Sequence, residues 1–119
     1  MDLDDINDVI NAFANAALRA IKAGFKVIEI HSAHGYLLHS FLSPLANKRN
    51  DEYGGDIHGR MKLLLQVLDD VRDVIPEETP LFCRISAVDG IENGWEIDDS
   101  VVLAKKLEEH GVDVVDCSA

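Results

Sequence analysis

No stretch of this 119-residue chain holds the ~20 consecutive apolar residues a membrane-spanning helix needs, so no such helix is expected. Basic residues are scarce: 11 Lys and Arg stand against 22 Asp and Glu, for a formal charge of −11. Nucleic-acid binding draws most of its affinity from Lys and Arg on phosphates, and no basic cluster appears, so nucleic acid is not an expected partner. Cysteine is limited to Cys83 and Cys117, each in a strand-like apolar run and without CxxC spacing, which predicts two reduced, buried thiols. The opening "MDLDDINDVI" is acidic where a signal peptide is basic and then hydrophobic, so the cytoplasm is the simplest expected location.

What is present suits one globular unit over residues 1–119: 47% hydrophobic and 28% charged residues, with no repeat or low-complexity linker. From Asp4 to Ala23, Ile6, Val9, Ile10, Phe13, Ala17 and Ile21 recur at steps of three and four, and Gly24 stands where a helix C′ glycine belongs. "FKVIEIH" predicts a strand, with Val27, Glu29 and His31 on one face and Ile28 and Ile30 on the other. A long loop is expected from about Ser32 to Gly59, and a loop of that length in a compact domain is usually functional. A second helix is predicted from about Arg60 to Ile75, ended by Pro76, with Met61, Leu64, Leu65, Leu68 and Val71 on one stripe.

"PLFCRIS" predicts the next strand, with Leu81, Cys83 and Ile85 opposed to Phe82, Arg84 and Ser86. A third helix over about Asp98 to His110, closed by Gly111, leads to a third strand in "VDVVDCSA". The alternation predicts an α/β fold with parallel strands. Three strands leave two open edges, while a (β/α)8 barrel takes ~250 residues, so the expectation is a partial barrel, its middle segment. A free-standing α/β module that self-associates through its open edges is the alternative.

The chemistry-bearing residues gather after the first strand. His31, His34 and His39 lack the helical HExxH spacing and the converging set a zinc site wants, so no metal is expected. Histidines satisfied by loop carbonyls remain an alternative. His31 stands at a strand's carboxyl end, where parallel α/β folds bind ligands. A strand continued to His34 would turn the two imidazoles to opposite faces; a turn at Ser32-Ala33 would let both aim N–H groups at one oxygen, an oxyanion-type site. Tyr36 offers a phenol with a pKa near 10 as a proton source. Arg84 shares the inward face with Glu29 and His31, and needs an anionic partner there, either Glu29 or an electron-rich cofactor ring.

The stretch "HSAHGYLLHSFLSPLANKRNDEYGG", with "AGFKVIEI" before it and "CRIS" after it, resembles the Old Yellow Enzyme family of FMN-dependent NAD(P)H oxidoreductases, in its bacterial two-histidine branch. The resemblance runs along essentially the whole chain and implies the helix before the fourth barrel strand through to the sixth strand. It implies that His31 and His34 bind the substrate's carbonyl oxygen, that Tyr36 gives a proton to the α carbon, and that Arg84, with His31, lies beside the flavin. NADH or NADPH would reduce FMN, which then gives a hydride to an α,β-unsaturated carbonyl compound. Asn47, Arg49, Asp51, Tyr53, Gly54 and Gly55 match the loop signature "N-x-R-x-D-x-Y-G-G", with a mainly structural role implied. Where relatives read "GGSLENR" this chain has "GGDIHGR", so a different cap is expected on the second helix. The missing phosphate anchor leaves an inactive structural fragment as the second reading.

Overall fold

The computed structural model describes residues 1–119. Helix α1, Leu3–Lys22, is opened by a reciprocal capping box: Asp5 N–H donates to Asp2 Oδ1 and Asp2 N–H to Asp5 Oδ2, each at 2.9 Å. It buries Ile6, Ile10 and Ala17, and Gly24, at φ +98°, carries the chain out of it. Strand β1, Ile28–Ser32, follows, then a short helix α2, Leu37–Leu42, and helix α3, Ile57–Val74. Strand β2, Leu81–Ser86, helix α4, Ile97–Glu109, and strand β3, Val114–Ser118, complete the order.

The three strands are parallel in the order β1-β2-β3, so the α/β expectation holds and the open sheet fits part of a barrel. One face of the sheet carries Ile28, Ile30, Leu81, Cys83 and Ile85, all buried in a cluster with Met61, Leu64, Val67, Leu68 and Val71 of α3. The other face carries Glu29, His31, Arg84 and Asp116, and no helix covers it. Hydrophobic burial against α1 and α3 therefore holds the sheet from one side, leaving its polar face free to line a site.

Two elements depart from the sequence expectation. The loop expected over about Ser32 to Gly59 contains α2, whose Leu38, Phe41 and Leu42 are buried. Six residues are too few for a periodic stripe, and Tyr36 at its N-cap makes no side-chain cap hydrogen bond, so the usual signals are missing. Helix α3 also starts earlier, at Ile57, because Asp56 Oδ1 accepts from Gly59 N–H at 2.9 Å. With glycine at the third helical position no side chain can reach back, so this cap is one-sided.

The remainder of that loop is held by its own signature residues. Asn47 Nδ2 donates to the carbonyls of Phe41 (2.7 Å) and Tyr53 (2.8 Å), and Arg49 makes a two-point contact with Asp51 at 3.1 and 2.7 Å. The Asp51 carboxyl is held below the usual carboxylate range, chiefly by Arg49. Tyr53, itself buried, donates its hydroxyl to Gln66 Oε1 at 2.8 Å, and Arg60 ties α3 to the carbonyls of Leu42 and Gly55, each at 2.8 Å. The loop is thus stitched to both α2 and α3.

The cysteines separate. Cys83 is buried, and burial pushes its thiol up to about 11 against the lowering effect of a Ser32 contact. Cys117 is exposed, contrary to the expectation of burial. It lies opposite the buried Ile85, but on β3, the last strand of the sheet. A thiol reagent is therefore expected to label Cys117 in the native chain and to reach Cys83 only on unfolding; two equally fast labelling events would contradict this arrangement.

Candidate active site

Strand register builds the site. In the parallel sheet His31 lies directly opposite Arg84, which lies opposite Asp116, while Glu29 lies opposite Phe82. The Glu29 partner considered for Arg84 is accordingly not formed; the nearest carboxylate is Asp116, with Oδ2 3.7 Å from Arg84 Nε. Both side chains are about 40% exposed, so this loose pair contributes little. Arg84 Nε itself is buried and has no hydrogen-bond partner, leaving a donor of fixed direction on the uncovered face.

At the carboxyl end of β1 the chain turns. The strand runs through Ser32, so the turn is not the one considered at Ser32-Ala33 but lies two residues further on: His34 takes φ +60° and Gly35 φ +77°, left-handed conformations, and Tyr36 N–H donates to the Ala33 carbonyl at 3.3 Å. His34 N–H donates to Ser86 Oγ at 2.9 Å, which anchors the turn to the end of β2. The result brings three side chains together. The His31 ring centroid is 5.2 Å from that of His34, at an interplanar angle of 79°, and 5.3 Å from that of Tyr36, at 64°. Tyr36 is 65% exposed, so its phenol is accessible.

The hydrogen bonds around the rings constrain their protons. Ala33 N–H approaches His31 Nδ1 at 3.3 Å, so Nδ1 accepts and Nε2 carries the proton. His34 Nε2 is 2.7 Å from Ser118 Oγ at the end of β3. His39 has both ring nitrogens engaged: Gly35 N–H donates to its Nδ1 at 2.9 Å and its Nε2 donates to Asp89 Oδ1 at 2.7 Å. None of the three rings bonds a loop carbonyl, the alternative considered; His39 is satisfied instead by an amide N–H and a carboxylate.

Asp89, in the loop after β2, was not singled out by sequence reasoning, yet it organises this end of the sheet. Its other oxygen, Oδ2, accepts from the Ser43 hydroxyl at 2.5 Å and from Trp95 N–H at 2.7 Å. Burial pushes its carboxyl upward, but these bonds and the one from His39 outweigh burial and hold it below the usual carboxylate range. Trp95 is buried and donates Nε1–H to Ser100 at 2.8 Å, so the network continues into α4. The loop bearing His34 and Tyr36 is thereby pinned to the loop after β2. Ser86 and Ser118 were likewise missed as partners, although strand alternation already puts Ser86 on the face of Arg84.

Beside β1's free edge lies an apolar hollow of about 380 Å³, lined by Phe13, Ala17, Ala20, Phe25, Val27 and other residues up to His31. No helix is long and apolar enough to cross a membrane.

The family model for the NADH:flavin oxidoreductase / NADH oxidase family matches residues 1–119. The chain is 48% identical over 119 residues to an NADPH dehydrogenase of Halalkalibacterium halodurans, covering 100% of this chain and 35% of that protein. Among solved structures it is similar to a 2-naphthoyl-CoA reductase in complex with 2-naphthoyl-CoA, with a TM-score of 0.92 and 30% identity over 99% of this chain and 18% of the other. It is also similar to an Old Yellow Enzyme homologue from Zymomonas mobilis, with a TM-score of 0.87 and 31% identity over 98% and 34% of the two chains. The chain spans about a third of the length of the curated relatives it matches. With the two histidines, the tyrosine and the arginine on one end of a parallel sheet, the chain belongs to the NADH:flavin oxidoreductase / NADH oxidase family, FMN-dependent oxidoreductases of the Old Yellow Enzyme type.

Proposed function

We propose that this chain forms the substrate-facing part of a reductase acting on the activated C=C bond of α,β-unsaturated carbonyl compounds. The observation that carries the reading is the cluster of His31, His34 and Tyr36 beside the unpartnered Arg84 Nε on the uncovered sheet face. A buried donor without a partner suits the polar edge of an electron-rich ring, so the residues present fit FMN, which Arg84 and His31 would hold. When bound, FMN reduced by NADH or NADPH supplies the hydride.

The chain's own residues do the rest. His31 Nε2–H and an N–H of His34 bind the carbonyl oxygen of the substrate, drawing electron density from the conjugated double bond. Negative charge that builds on that oxygen as the β carbon is reduced is stabilised by the two donors, already in place. Tyr36, 5.3 Å from the His31 ring and exposed, delivers a proton to the α carbon. The network around Asp89 keeps this loop in position, so the donors need not reorganise during reaction.

The test adds FMN and NADPH to the chain and follows flavin absorbance with a phenolic ligand that mimics the enolate. Phenol binding is expected, weakened by about 30-fold in His31→Ala, which corresponds to roughly 2 kcal/mol for a hydrogen bond to a charged oxygen. Unchanged affinity removes His31 from the role. A second reading, a module without catalysis that associates through its sheet edges, draws on the apolar hollow beside β1 and on Phe25, which is 65% exposed. Failure to bind FMN at high micromolar flavin, together with concentration-dependent assembly, favours that reading.

A further inference from the structure

Two neutral imidazoles that both donate to one oxygen must each carry a proton on the nitrogen turned toward it, so each needs its other nitrogen held as an acceptor. For His31 the backbone does this through Ala33 N–H. For His34 no backbone group touches the ring. Its one ring hydrogen bond is to Ser118, with Oγ 2.7 Å from Nε2.

We propose that Ser118 is a positioning residue for His34: its hydroxyl donates to Nε2 and so keeps His34 as the Nδ1–H tautomer, the complement of the Nε2–H form of His31. The inference rests on the reading of both histidines as donors to a carbonyl oxygen. A serine hydroxyl can donate or accept, and the contact alone allows either sense. In the neutral ring the direction is decided at the far nitrogen: Nδ1 has no partner within the chain, and only an Nδ1–H offers a donor to a substrate oxygen, which leaves Nε2 to accept from Ser118.

The fold supports this role. Ser118 lies opposite Ser86 in the β2-β3 register, and Ser86 Oγ accepts His34 N–H at 2.9 Å. The two serines at the strand ends therefore grip His34 by backbone and by ring. Ser118 is itself located by its carbonyl, which accepts from Ala87 N–H at 2.7 Å. Its hydroxyl makes no other hydrogen bond within the chain, so no protein group competes for the proton.

The test is a two-bond 1H–15N correlation spectrum of the labelled chain at about pH 8, above the reference imidazole pKa of about 6.5. The expected result is opposite tautomers: His31 protonated at Nε2 and His34 at Nδ1. In Ser118→Ala the His34 nitrogens should shift toward the average of the two forms while His31 is unchanged, and Ser118→Thr should restore the native pattern. A structural role alone would not exchange the ring nitrogens. His34 protonated at Nε2 in the native chain, or an unaltered pattern in Ser118→Ala, overturns the proposal. These spectra need no flavin and no substrate, whereas the functional reading is judged by phenol binding, so the two fail separately.

Discussion

Asp89→Asn lowers the stability of the chain by about 3 kcal/mol, read as a shift in the urea midpoint at neutral pH. The native carboxylate accepts three hydrogen bonds, from His39, Ser43 and Trp95, and its side chain is only 8% exposed. An amide offers one acceptor oxygen and an NH2 group. Whichever way it is turned, the NH2 opposes at least one donor in a place where water cannot substitute. His39 cannot relieve this by moving its proton to Nδ1, because Gly35 N–H already points there.

The pH dependence follows from the direction of the Asp89 shift. Its folded-state pKa lies below the ordinary carboxylate value, so its contribution is fully present above about pH 3.9 and is lost as the pH falls through the folded value. The midpoint gap between the native chain and Asp89→Asn should therefore be constant from about pH 7 to about pH 5 and narrow at more acid pH. A gap that stays constant down to about pH 3 would show that the charge of Asp89 is not what the network uses.

Gly54→Ala should lower stability by about 3 kcal/mol as well, by a steric route. A Cβ at Gly54 collides with the Arg49 carbonyl oxygen and lies 2.7 Å from Arg49 Cβ. Arg49 cannot retreat, since its side chain is tied to Asp51 and its N–H donates to Asn47 Oδ1 at 3.0 Å. The neighbouring glycine is the control. A Cβ at Gly55 meets nothing within 4 Å, but φ there is +82°, so Gly55→Ala should cost only about 1 kcal/mol of left-handed strain. Equal losses in urea denaturation would remove the close-approach account of Gly54.

The long elements were legible because each carries a period. The stripes of α1, α3 and α4 and the alternation of β1 and β2 place their boundaries within about three residues of those observed. Helix α2 was not legible, since it is shorter than two turns and its residues are ordered by packing on the core. Cys117 shows the same limit: an apolar neighbourhood in sequence does not reveal that a strand lies at the sheet's edge.

His31, His34 and Tyr36 were singled out because strand-end placement and the motif "HSAHGY" mark them within six residues of one another, and the three rings do cluster. By itself the sequence determined the order of elements and the face of each strand, and it singled out the side chains proposed to carry chemistry. Only the tertiary structure decided their surroundings: a hydrogen-bond-free Nε for Arg84 with Asp116 only loosely near, Asp89 for His39 at 50 positions' separation, and Ser118 for His34 at 84. The physical reason is that a periodic pattern reports burial along one element. Which polar groups meet depends instead on the register of neighbouring strands and on where the chain turns at their ends.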